Sequence, residues 1–147
     1  MANFRAKLPI VITAAIMLFI FVHSAMPGEM SGAESSFVVR ILAAITGLAA
    51  EPIHFIVRKA AHFIEFLALG CSLTVNAQAY LRRRPSASSS CKGWMIPWIA
   101  GTLYAVTDEL HQLFVPGRAC APADICIDSA GVAAGVVIMI LLRRAVR

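Results

Sequence analysis

The sequence predicts an all-α membrane protein: a bundle of four transmembrane helices, with an amphipathic or re-entrant helix on the outer face between spans one and two. Three observations predict it. Hydrophobic residues make up 59% of the 147 positions and charged residues only 14%, with a mean hydropathy of +0.77, which is too apolar for a soluble surface. Residues 8–25, 53–81, 94–115 and 121–142 form four segments that approach or exceed the ~18 to 20 residues needed to cross a bilayer. Basic residues flank these segments with one consistent sidedness.

The first segment follows Arg5 and Lys7 and runs from Leu8 to a small-residue exit at Ser24 and Ala25. That plan also fits a signal peptide, whose removal would leave three spans and the same later topology. After it, "MPGEMSGAESS" is turn-rich and polar, and "FVVRILAAITGLAA" repeats apolar residues at helical spacing around one Arg, as an interfacial or re-entrant outer helix does. The second span starts at Ile53. It is followed by "RRRPSASSSCKG", a cytoplasmic loop bounded by Pro85 and Gly93. The third span starts at Trp94 and leads to "VPGRACAP", an outer hairpin turning at Pro116 and Gly117. The fourth closes the chain. Residues 1–147 read as a single domain without internal repeats.

The net charge of +5 could suit a nucleic-acid partner, but the sequence holds no basic recognition element with interleaved aromatics, so nucleic acid is excluded. Membrane orientation accounts for the charge instead. Arg5 and Lys7, then Arg82, Arg83, Arg84 and Lys92, then Arg143, Arg144 and Arg147 mark three places as cytoplasmic, with both termini inside. The opposite loops carry Arg40 and Arg118 together with Glu29, Glu34 and Glu51. Cys71, Cys91, Cys120 and Cys126 have no paired-metal spacing; Cys71 lies within a span and Cys91 in a reducing loop, which argues against a disulfide framework, and Cys120 and Cys126 read as small apolar residues.

Several ionisable groups lie within the spans, where each is costly unless paired or wetted. At about 100° per residue, His54, Arg58, His62 and Glu65 share an arc of roughly 80°, flanked by Lys59. Tyr104, Asp108, His111 and Gln112 share roughly 100°, with Glu109 just outside, and Asp124, Asp128, Gly131 and Gly135 share roughly 60°. Counting ~1.5 Å per residue from the outer helix ends puts all three stripes in the outer half of the membrane. A polar pocket open outward follows, roofed by the amphipathic segment after Ser36. Gly131 and Gly135 form a small-xxx-small pair for close helix packing, and Gly101 sits on the stripe side of its span.

These residues resemble the VanZ-like membrane proteins. The resemblance rests on "RKAAHFIEFLALG" and "DELHQLFVPGRACAPADICIDSAGVAAG". It falls on Lys59, His62 and Phe66, then Asp108, Glu109, Gln112, Phe114, Pro116 and Arg118, then Asp124, Asp128, Gly131 and Gly135. The Ser-containing exit from span one fits as well. Asp128 stands where the family often has Asn, and a Ser common after the Arg is absent at 119–121. The resemblance implies a multi-pass protein of the bacterial inner membrane with a role in the cell envelope. The founding member is associated with resistance to the glycopeptide teicoplanin.

The expected function is binding of an anionic envelope lipid or lipid-linked precursor, with Arg58, Lys59, Gln112, Arg118 and Asp124 as ligand-binding residues. An alternative is an intramembrane hydrolase or transferase, with His62, Glu65, Asp108, Glu109 and Asp128 as candidate acids and bases. A small transporter or scramblase is a third reading. No cofactor is expected. The i, i+3 pairs His62/Glu65 and Asp108/His111 could ligate a metal, but Arg58 and Lys59 nearby would repel it, so none is assigned. His54 and His111 read as interfacial, and Tyr104, Trp94 and Trp98 as packing and anchoring residues. A homo-oligomer is compatible with so small a bundle.

Overall fold

The computed structural model describes residues 2–83, 92–118 and 120–145. The described residues form five α-helices in order: α1 (Ala2–Ser24), α2 (Gly28–Thr46), α3 (Ala50–Arg83), α4 (Lys92–Gln112) and α5 (Pro122–Ala145). Among the described residues there is no strand. Among the described residues, helices α1, α3 and α5 contain the three segments long and apolar enough, by length and composition, to cross a membrane. Their outward faces carry Val11, Leu18, Phe19, Ile56, Ile64, Val137 and Leu141, all exposed, as lipid-facing side chains are.

Two boundaries differ from expectation. The stretch read as turn-rich is helical from Gly28, because Gly and Ser weaken a helix without forbidding it, and the turn is confined to Ala25–Pro27. Helix α2 stops at Gly47, a left-handed cap with φ 70° whose N–H bonds the Ala43 carbonyl at 2.8 Å. Helix α4 ends at Gln112, three residues before the expected limit of 115. The chain then tightens through Phe114 N–H to His111 O and Val115 N–H to Gln112 O. Arg118 N–H reaches Val115 O at 3.1 Å across a turn with Gly117 at φ 74°, a conformation that Gly permits. Arg84, Cys91 and Arg147 lie outside the described residues.

Helix direction follows from the contacts. On α5, Gly131 abuts the backbone of Phe63 and Leu67, and Gly135 that of Leu67 and Cys71, so α5 runs parallel to α3. A Cβ added at Gly131 would stand 2.5 Å from the Phe63 carbonyl oxygen; the small-xxx-small pair lets two backbones touch. Gly70 answers from α3, against the Val132 backbone. Near its start α1 meets the far end of α3: Thr13 Oγ1 and Ser72 Oγ lie 2.6 Å apart, and Asn76 Nδ2 donates to Thr13 Oγ1 at 2.7 Å and to Pro9 O at 3.1 Å. Helix α1 is therefore antiparallel to α3. Ile20, Phe66, Leu69, Ala105, Val132 and Val136 form the core between these helices.

This arrangement gathers Lys7, Arg82, Arg83, Arg143 and Arg144 at one end of the bundle. The polar stripes collect at the other end. Twenty residues separate His62 from Arg82 along α3, or ~30 Å at 1.5 Å per residue, about the thickness of a hydrocarbon core.

Candidate functional site

The site begins where α1 ends. Ser24, fully buried, donates from Oγ to Asp108 Oδ2 at 2.7 Å, and Gln112 Nε2, one turn beyond Asp108 on α4, donates to the same oxygen at 3.2 Å. Two donors on one carboxylate oxygen fix its orientation. Tyr104, one turn before Asp108, donates its hydroxyl to Met17 O at 2.6 Å, so α4 is clamped to α1 at two levels.

Glu109 points the other way around α4. Its Oε2 accepts the Ala121 N–H at 3.0 Å, immediately before the first residue of α5, where unpaired N–H groups and the positive end of the helix dipole welcome an anion. Asp124, in the first turn of α5, pairs with Lys59 of α3. These two contacts fasten the start of α5 to both of its neighbours.

On the opposite side of α3, Glu65 Oε1 faces His23 Nδ1 of α1 at 2.6 Å. The His23 ring stacks on His62 with centroids 5.9 Å apart and on Phe19 at 6.1 Å. At the centre, His62, Asp108 and Asp128 each offer one donor atom within 4.8 Å of the others, and all three are buried. Both carboxylate oxygens of Asp128, Asp108 Oδ1 and His62 Nδ1 have no hydrogen-bond partner within the protein.

Above this centre lies a cavity of about 250 Å³ lined by Arg58, Lys59, His62, Arg118, Asp124 and Asp128, with Phe55 and Ile127 at its side. Arg118 bonds Met26 O from Nε at 3.2 Å, while its Nη2 is buried without a partner. Burial, and then the neighbouring Arg58, push the Arg118 guanidinium below its ordinary range, while Asp108, Glu109 and Glu65 hold it up; an arginine remains a cation under such a balance. Phe55, Lys59 and Ile127 also border an open apolar groove with Ile56, Phe63 and Ile64, so the polar cavity and a lipid-facing trough share a wall.

The structure thus brings together Arg58, Lys59, His62, Gln112, Arg118, Asp124 and Asp128 around one cavity, with Asp108 behind it. Glu109 is turned to α5 and Glu65 to α1. Among the described residues the lining comes from α3, the 112–121 segment and α5, in place of the expected roof from the segment after Ser36. His111 stacks on Phe21 at 4.4 Å, a packing role. His23 and Ser24 were not among the predicted site residues. Their signal was present: two adjacent polar residues ending the apolar run "MLFIFVHS".

The family model described as VanZ/LLP1 matches residues 9–143. No curated protein and no solved structure matches the chain.

Proposed function

This chain belongs to the VanZ/LLP1 family, and we propose that it binds an anionic envelope lipid or lipid-linked precursor by its headgroup at the outer end of a four-span bundle. The reading rests on one juxtaposition. A buried, unpartnered Arg118 Nη2 stands at a cavity that also holds Arg58 and Lys59, and an apolar groove leads from the same wall. A phosphate or carboxylate would accept the free guanidinium N–H, while an acyl chain would lie along Ile56, Phe63 and Ile64.

The topology supports this reading. The basic end of the bundle faces the cytoplasm under the positive-inside rule, which puts both termini inside and the cavity at the extracytoplasmic interface of the bacterial inner membrane. Helix α4, 21 residues long, spans ~31 Å at 1.5 Å per residue and serves as the fourth span. Its acidic end is tolerated because Asp108, Glu109 and Gln112 face the protein interior, where all three are buried. A role in envelope function or glycopeptide resistance would follow from capture of an envelope precursor.

Native mass spectrometry of detergent-solubilised protein with equimolar phosphatidylglycerol and phosphatidylcholine tests the binding. Retention of phosphatidylglycerol in preference, lost in Arg118→Ala, is the expected result. Equal retention of both lipids by the wild-type chain contradicts it.

A further inference from the structure

We propose that His62, Asp108 and Asp128 bind one divalent cation of the zinc type at the floor of the cavity. The three come from three helices, α3, α4 and α5, and their donor atoms lie within 4.8 Å of one another. Zinc–nitrogen and zinc–oxygen bonds run to ~2.0–2.2 Å, so two donors on one ion stand no more than ~4.4 Å apart, and the set closes on an ion by side-chain movements of about 1 Å or less. An imidazole with two carboxylates is a donor set for Zn2+ and similar borderline cations, whereas Mg2+ and Ca2+ take oxygen ligands.

A cluster of acids alone would not point to a ligand. Here the independent sign is that the donors are deeply buried and unsatisfied. Asp128 is 1% exposed, Asp108 3% and His62 7%, yet both Asp128 oxygens, Asp108 Oδ1 and His62 Nδ1 have no hydrogen-bond partner. Buried acceptors left unpaired in this number are rare in native proteins, and a single cation satisfies them together.

Charge points the same way. Asp108 and Asp128 supply two carboxylates to the one cluster, and ligands bind a metal in their deprotonated form, so the pair balances the charge of a divalent ion. Repulsion by the bases, the reason for assigning no metal from sequence, is reduced by where they stand: Lys59 is held on Asp124, and Arg118 Nε on the Met26 carbonyl. Ser24 and Gln112 hold Asp108 Oδ2, leaving Oδ1 for the ion, the outer-shell support typical of metal carboxylates. His62 and Asp128 line the cavity, so a fourth coordination position opens toward it, as in zinc sites that receive a ligand.

The test uses untagged protein in uncharged detergent without added lipid, stripped with chelator and reloaded with Zn2+ or Co2+. Its failure is therefore separate from failure of lipid binding, which is measured in chelator. One Zn2+ per chain is expected after gel filtration. The Co2+ form should show visible d–d bands without the intense near-ultraviolet band of a cysteine thiolate ligand, and Asp128→Asn and His62→Gln should each weaken Zn2+ binding at least tenfold, while Cys126→Ser leaves it unchanged. Absence of stoichiometric Zn2+, a thiolate band, or undiminished binding in Asp128→Asn overturns the site. If the variants do not fold, the wild-type Zn2+ stoichiometry and Co2+ spectrum decide alone.

Discussion

Ser24 and Asp108, 84 residues apart in sequence, share a fully buried hydrogen bond of 2.7 Å that ties the end of α1 to the acidic turn of α4. The bond makes the end of α1 part of the site.

Ser24→Ala is expected to destabilise the bundle by about 1 kcal/mol, within the range of interhelical hydrogen bonds in membranes. A double-mutant cycle with Asp108→Asn in reversible SDS unfolding checks it. Full additivity of the two substitutions would show that the pair does not interact.

Gly135→Ala should destabilise by about 1–3 kcal/mol, the usual range for overpacking, because the new Cβ meets the Leu67 carbonyl and the Cys71 amide nitrogen, neither of which can turn away. Gly93→Ala is the control. Its Cβ would meet only Leu81 Cδ1 at 3.9 Å, so stability should hold or rise. Thermal unfolding in the same detergent reads both.

At Glu109 the acceptor matters more than the charge for holding α5, since its Oε2 takes the Ala121 N–H. Glu109→Gln keeps an acceptor there and should cost less than Glu109→Ala, which loses both bond and dipole contact at about 1 kcal/mol or more. Hydrogen exchange of residues 121–125 reports the difference as faster exchange in the alanine variant.

Much of the site was legible in the sequence, for a geometric reason. A regular helix fixes angle and height together, so the spacings of His62, Asp108 and Asp128 define faces and depths before any packing is known. The glycines of α5 were readable in the same way. The register of α1 was not, because an almost uniformly apolar helix has no stripe to say which residue meets α4, and Ser24 gains its meaning only from Asp108. The helix over Gly28–Ser36 was hidden by small residues that suit turns equally well. Whether Lys59 would repel a cation or stand aside depended on Asp124, a partner on another helix that no local pattern reveals.

Topology is open to a direct check in a chain whose cysteines are replaced by serine. Phe114→Cys, at a position 85% exposed beside the site, should react with a membrane-impermeant maleimide from outside intact cells, and Arg83→Cys only after permeabilisation. The reverse pattern would put the cavity on the cytoplasmic side.

Entry of a lipid headgroup into the Arg118 cavity, with its chain in the adjoining groove, can be read by photo-crosslinking with phosphatidylglycerol bearing a diazirine on one acyl chain. Crosslinks are predicted to concentrate on Ile56, Phe63, Ile64 and Ile127 and to fall away in Arg118→Ala. Crosslinks spread equally over the exposed α1 residues Leu18, Phe19 and Phe21, unchanged by that substitution, would contradict it.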